Sequence, residues 1–413
     1  MTGTNWAGNL TYSATKLLEP TSVEELQSVV AAAPHLRALG SRHSFNSIAD
    51  TNGVQVSVAA LPPEFSVNAD RTGVTVSAGL RYGELIGHLD RAGLALHNLA
   101  SLPHISVGGA IATGTHGSGD RNGSLASAVS ALQIMRPDGE VHDYCRGDDD
   151  FDGMVVSLGS LGIVTYVSLD VVPTFEVRQD LFENLPWKSV TDHLDEITAS
   201  AYSVSLFTNW GEQVDQVWLK SRSDDAPPPA ELFGATPATR QLHPLPEESA
   251  VSTTVQLGVP GPWWDRLPHF QLAFTPSKGA ELQTEYLVPR DRALEAIDAV
   301  RAIAHLLRPH LFISEIRTVA GDGLWLSPAH STNCVALHFT WQPHMSEVQA
   351  LLPRLDDALA PFAARPHWGK LFETDSARLA EAYPRLTDFR TLADRFDPEH
   401  RLANDLTSQW LGR

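Results

Sequence analysis

Cysteine is nearly missing from this chain: Cys145 and Cys334 are the only two in 413 residues. Two cysteines build no disulfide framework, and without a CxxC pair there is no sign of zinc binding or thiol exchange. Long apolar runs are missing too, since none approaches the ~18 residues needed to span a bilayer. Basic residues are the minority, 30 against 49 acidic, for a formal charge of −19. Such a surface repels polyanions, which argues against nucleic acid and anionic membranes as partners. No protein partner is predicted either. The opening MTGTNWAGNLTY has neither a basic n-region nor an apolar h-region, so the expectation is a cytoplasmic protein. Histidine is plentiful, at 17, but none falls in HxH, HExxH or a Cys/His spacing, and no metal site is expected.

What is present is ordinary globular composition, 43% hydrophobic and 19% charged, in a length that favours more than one domain. Thr21-Ser22-Val23-Glu24 is a capping-box pattern, which predicts a helix through Ala33, and Pro34 breaks it before a strand in HLRALG. GVTVSAGLRYGELIGHLDRAGLAL (73–96) repeats the alternation: a strand with Val74, Val76 and Ala78 on one face, a turn, then a helix. Residues 126–144 read as a hairpin turning at Pro137-Asp138-Gly139, and 162–172 as a strand. After Pro173 the composition shifts. Residues 224–250 are a Pro-rich surface excursion, followed by strands expected at 269–275 and 281–288. A helix capped by Asp291, with Leu294, Ile297, Val300 and Ile303 as its stripe, precedes strands at 311–317 and 335–341.

The densest glycine cluster is ASLPHISVGGAIATGTHGSGDRNGSLAS (100–127), where Gly108, Gly109, Gly114, Gly117, Gly119 and Gly123 alternate with Ser106, Thr113, Thr115 and Ser118. Glycine lets a backbone approach a ligand closely and aim its N–H groups at an anion, and hydroxyls add donors. The dinucleotide GxGxxG is not formed, because Asn122 stands where the third glycine belongs, and no Walker lysine follows. LGSRHSFN (39–46) and SLGSLGIVT (157–165) are two more loops of the same kind.

Those loops, with LRYGEL (80–85), ATGTHGSG (112–119) and the late RPHWGK (365–370), resemble the vanillyl-alcohol-oxidase-type FAD-linked oxidases. Within them, ASLPHIS, EIRTVA, HFTW and ARPHWGK resemble the alditol (xylitol) oxidase subgroup. The likeness runs over nearly the whole chain. It implies an α+β fold: an FAD-binding domain of two α+β subdomains over 1–174, a substrate cap at 175–376 built on an antiparallel sheet flanked by helices, and a C-terminal return at 377–413. It implies that Gly40, Ser41, Arg42, Ser44, Ser106, Gly109, Thr113, Gly114, Thr115, His116, Gly117, Ser118, Gly162, Ile163 and Asn404 bind FAD, with His43 as the covalent attachment to the flavin 8α-methyl. Two departures stand out. Arg42 occupies a position where many members carry glycine, so the loop is not expected to use unusual backbone angles there freely. In FDPEHRLAN, His400 likewise replaces the family's glycine.

Strand periodicity bears on the chemistry. In LFISEIR, Glu315 and Arg317 share one face, with Phe312, Ser314 and Ile316 on the other. In VALHFTW, His338 and Thr340 share a face opposite Val335, Leu337, Phe339 and Trp341. Periodicity alone leaves these faces either solvent-exposed or site-forming. The resemblance implies the second, with Ser101, Glu315, Arg317, Thr340 and Lys370 binding a polyol. A polyol is uncharged and studded with hydroxyls, which suits a row of donors and acceptors. The implied reaction moves hydride from the terminal carbinol carbon to flavin N5, then two electrons to oxygen, giving hydrogen peroxide. Arg317 and Lys370 would stabilise the developing alkoxide, and His338 or Lys370 would be the base. Two other functions stay open: a sugar-1,4-lactone oxidase or dehydrogenase, and a non-catalytic flavin-fold or sugar-binding protein.

Overall fold

A computed structural model describes residues 3–412 apart from 227 and 275–280. The fold is α+β and is organised around two antiparallel sheets. The first has five strands in the order Phe65–Val67, Gly73–Ser77, Ile163–Asp170, Val129–Met135, Val141–Cys145. Val74, Val76 and Ala78 are all buried, as one core-facing row should be. Tyr82–Ala92 is the helix expected after them, stopped by Gly93 in a left-handed C-cap. Beside this sheet lies a small parallel one of Lys16–Leu18, Val54–Val56 and Leu36–Ala38. The helix Val23–Ala32 is capped one residue later than Thr21…Glu24 would place it. Ser22 accepts from the Glu25 amide, and the Glu25 carboxylate reaches back to the Thr21 amide.

The second sheet has nine strands, and its centre runs Ser203–Thr208, Leu311–Val319, Cys334–Trp341, Leu282–Pro289. One face is apolar. Leu282, Tyr286, Val288, Ile316, Val335, Leu337, Phe339 and Trp341 pack there with the helices Trp187–Thr198, Ala293–Ala302 and Met345–Leu359. Ser314 belongs to the same side, where it accepts from Trp210 Nε1 at 2.7 Å. The opposite face carries Gln283, Glu285, Ile313, Glu315, Arg317, His338 and Thr340, and these line a cavity. The two-residue period of a strand thus divides each sequence between core and cavity.

Arginines tie the last segment to the first sheet's layer. Arg37, 2% exposed, donates to the carbonyls of Leu158, Gly159 and Leu402 at 2.7, 3.2 and 2.7 Å, and also to that of Ile48. Leu379, Leu386, Phe389 and Trp410 join the same core as Val76 and Leu85.

Two expected elements differ. Residues 269–274 form no strand beyond a single bridge at Phe270, and 275 lies outside the described residues. Asp291 does not cap its helix, because Arg290–Arg292 coils into a 3₁₀ turn that sets the start at Ala293. Among the described residues no helix is long and apolar enough to cross a membrane, and no group of His, Cys, Asp and Glu could hold a metal ion.

Candidate active site

The cavity has a volume of about 950 Å³, at the top of the ~300–1,000 Å³ range of ligand sites. Two chemically different sets of residues line it. One comes from the loops around residues 39–45, 100–116 and 157–164 and is rich in glycines and hydroxyls. The other is the polar face of the nine-stranded sheet.

The 39–45 turn is held from two sides. Ser41 and Ser106 exchange reciprocal bonds, each hydroxyl accepting from the other's amide at 3.0–3.2 Å. A Cβ on Gly40 would lie 2.5 Å from Ser106 Oγ and 3.6 Å from Gly109 Cα, so these two backbones approach as only glycine permits. On the other side, the N-terminal segment clamps the turn: the Trp6 amide donates to Arg42 O, Asn5 Nδ2 to Ser44 O and Asn9 Nδ2 to Phe45 O, all within 2.8–2.9 Å.

Arg42 has φ of +65°, in the left-handed region. The expectation that an arginine would keep this turn out of such angles is therefore corrected. The cost, about 1–2 kcal/mol for an L-residue, is set against the clamp and against bonds of its own side chain. Its guanidinium donates to Thr4 O at 3.2 Å and lies over the Tyr12 ring. His400 repeats the pattern at φ +53°.

His43 lines the cavity with its ring stacked on Trp6, centroids 5.2 Å apart. Its Nδ1 lies 2.9 Å from Ser41 O. A carbonyl only accepts, so Nδ1 carries the proton. Burial pulls the imidazole pKa down to about 4, which keeps the ring neutral.

Gly40, Ser41, Arg42, His43, Ser44, Ser106, Gly109, Thr113, Thr115, Gly162 and Ile163 all line the cavity. Gly114, Gly117, Ser118 and Asn404 do not, and each has a structural task instead. Gly114, at φ +69°, turns the chain after the short helix Val107–Ala112. Gly117 is pressed on Asn98 and Leu99, where a Cβ would come within 2.6 Å of both. Ser118 donates to Val204 O. Asn404 caps the helix Asp405–Leu411 through the Thr407 amide and donates to Ser47 O and Asp50 O at 2.9 and 2.7 Å. His116 lines the cavity, but among the charged residues: its Nε2 is 3.4 Å from Glu285 Oε1, without hydrogen-bond geometry.

On the sheet face, Glu285, His338 and Glu315 form one row across three adjacent strands, each carboxylate directly opposite the histidine. Arg317 Nη2 donates to Glu285 Oε1 at 2.5 Å, and Lys370 Nζ to Glu285 Oε2 at 2.6 Å. Arg317 Nη1 also reaches Ser101 Oγ at 3.4 Å. Glu315 Oε1 accepts from His269 Nε2 at 2.8 Å, and Oε2 has no partner among the described residues. His338 Nε2 is 3.2 Å from Gln283 Oε1, and Thr340 lies beside it on the same face.

Burial opposes charge on Glu285, yet Lys370, Arg317 and His116 hold its pKa well below the usual carboxylate range. Arg317 and His269 do the same for Glu315. Burial, with Lys370 second, lowers His338 to about 3, so its ring is neutral. Burial also pulls Lys370 down, against the pull of Glu285. Glu315 and Arg317 are 4% and 5% exposed, which excludes a surface ion pair.

Lys370 stands where the first set of residues meets the second. Phe45 N donates to Gly369 O, and Asn46 Nδ2 donates to Trp368 O and Lys370 O, all within 2.8–2.9 Å. The His43 turn therefore fixes the lysine turn directly.

Sequence reasoning missed Glu285, Gln283, His269 and Arg37. The first two carry the same two-residue signal as Glu315 and Arg317, and the strand 281–288 could have been split by face. His269 sits in an irregular segment, where no period points it anywhere.

Residues 14–144 match the FAD binding domain family, and residues 276–413 match the family described as D-arabinono-1,4-lactone oxidase. The chain is 49% identical to the alditol oxidase of Streptomyces sp. (strain IKD472 / FERM P-14339), over 97% of each chain. It is 30% identical to the L-gulono-1,4-lactone dehydrogenase of Mycobacterium tuberculosis, over 99% of this chain and 98% of that one. Among solved structures, cholesterol oxidase from B. sterolicum superposes with a TM-score of 0.80 at 14% identity, covering 99% of this chain and 96% of the other. That last likeness concerns the fold alone.

Proposed function

Because the chain belongs to the vanillyl-alcohol-oxidase-type family of FAD-dependent oxidoreductases, we propose that it oxidises the terminal hydroxyl of alditols such as xylitol and sorbitol to the aldose, with oxygen as acceptor. The observation that carries this reading is the charge arrangement of the sheet face. Two carboxylates, Glu285 and Glu315, cancel two cations, Arg317 and Lys370. The site is polar but balanced, which suits a neutral substrate rich in hydroxyls.

The two carboxylates differ in role. Both Glu285 oxygens are committed to cations, so it orients Arg317 and Lys370. Glu315 keeps Oε2 open for substrate hydroxyls. Ser101 and Thr340 add hydroxyl partners along the wall. Arg317 and Lys370 stabilise negative charge on the reacting oxygen. Lys370 donates to Glu285 as an ammonium and has no lone pair to offer, whereas His338 is neutral. We therefore assign the proton of the reacting hydroxyl to His338.

The loop end suits FAD, because its close-packed glycines and hydroxyls give amide and hydroxyl donors at short range. Gly40, Ser41, Gly109, Thr113, Thr115, Gly162 and Ile163 would hold it, with residues 1–174 as its domain, 175–376 as the cap and 377–413 returning to the first. When bound, FAD supplies the hydride acceptor and the route to oxygen. We assign its covalent attachment to His43, whose neutral ring lines the cavity.

The test is anaerobic flavin reduction with xylitol, sorbitol, gulonolactone and butanol. Most recognition comes from hydroxyls remote from the reacting carbon, so both alditols should reduce the flavin far faster than butanol. Preference for the lactone would redirect the assignment to a lactone oxidase.

A further inference from the structure

Behind Glu315, outside the cavity lining, lies a lysine that the proposed reaction does not use. Lys220, on the strand Gln213–Arg222, is 1% exposed. Its ammonium has three acceptors: Leu267 O at 2.5 Å, Pro268 O at 3.0 Å and His269 Nδ1 at 3.1 Å. An ammonium has no lone pair, so His269 Nδ1 must be the acceptor. The other ring nitrogen, Nε2, faces Glu315 Oε1 at 2.8 Å. A carboxylate only accepts, so Nε2 carries the proton. With Lys220 protonated, both sides of the ring favour the same tautomer, and burial, which pulls the lysine down to about 7, makes that charge depend on its three acceptors. Burial lowers the ring's pKa to about 4, consistent with one proton rather than two. Phe207 and Trp218 hold the ring edge-on, with centroids 5.4 and 5.3 Å away.

We propose that Lys220 and His269 are positioning residues that aim the free oxygen of Glu315 at the substrate, Lys220 by setting the tautomer of His269 and His269 by anchoring Oε1. This rests on the reading of Glu315 as the polyol acceptor. Without Lys220 the buried carbonyls of Leu267 and Pro268 lose their donor, which favours moving the ring proton to Nδ1 and leaves a bare Nε2 facing the carboxylate, two acceptors face to face. An alternative donor is at hand: Arg317 Nε is 3.7 Å from Glu315 Oε1 and has no hydrogen-bond partner. The carboxylate would rotate onto it and away from the substrate.

Two readouts on the FAD-loaded protein test this. The first is ¹⁵N NMR of the His269 ring, assigned by its loss in His269→Asn, which needs no substrate. Wild type should show the Nε2–H tautomer. Lys220→Met should lose it, and Lys220→Gln, which keeps a donor toward Nδ1, should restore it and also serves if the methionine variant fails to fold. The second is the alditol titration of anaerobic flavin reduction. Lys220→Met should raise KM by about ten- to a hundred-fold, the scale of a lost hydrogen bond to a charged group, and lower the limiting rate much less. An unchanged tautomer in Lys220→Met overturns the proposal, as does a changed tautomer with unmoved KM. If no alditol reduces even the wild type, the polyol reading fails, and the tautomer still decides whether Lys220 controls His269.

Discussion

Glu285 and Glu315 are the two cross-strand neighbours of His338, and they are differently occupied. Glu285 gives one oxygen to Arg317 and the other to Lys370, whereas Glu315 gives one to His269 and the other has no partner among the described residues. Glu285→Gln therefore breaks the link between two buried cations, a change that costs about 3–5 kcal/mol for a buried pair. The variant should denature at markedly lower temperature or denaturant than wild type. Glu315→Gln keeps one acceptor and should raise KM more than it lowers the limiting rate of flavin reduction. Equal melting temperatures for Glu285→Gln and wild type would refute the counter-ion role.

Arg317→Leu and Lys370→Met each remove a cation proposed to stabilise charge that develops during reaction. The loss of one such donor costs about 10²–10³ in rate. Stopped-flow reduction at saturating xylitol is the measurement, because turnover with oxygen can be limited elsewhere. Wild-type rates in both variants would move the reacting carbon away from this face.

His43→Ala should release all flavin on acid precipitation, while wild type stays yellow in the pellet. Trp6 stacks on that ring and its amide braces the turn at Arg42. Trp6→Leu should slow attachment when apoprotein is mixed with FAD. Wild-type supernatants that carry all the colour would end the covalent assignment.

The depressed pKa of His338, about 3, has a definite sign. A group lowered in the folded protein is unprotonated above that value, so the His338 ring stays neutral across about pH 5–8. The acid limb of kcat/KM should show no inflection near the ordinary histidine value of about 6.5. An inflection there that vanishes in His338→Gln would show the ring to be far less perturbed than its burial and neighbours dictate.

The two cysteines should separate cleanly. Cys145 is exposed, while burial pushes the Cys334 thiol up to about 12. A thiol titrant should count one group in the native protein and two after denaturation.

Much of this was legible in the chain. The periods of LFISEIR and VALHFTW placed Glu315, Arg317, His338 and Thr340 on one side, because a strand cannot turn adjacent residues the same way. Spacing also told strand from helix through 73–96. What it could not tell was whether the polar side faced water or a cavity, since both accept the same residues. That was decided by the loops around residues 39–46 and 100–116, which line the same cavity as this face and fix Lys370 through Asn46 and Phe45. Nor could local pattern show that Glu285 carries both cations, that Lys220 stands behind His269, or that Arg42 takes a left-handed angle. Each depends on groups far apart in sequence, and only the folded chain determines which donor meets which acceptor.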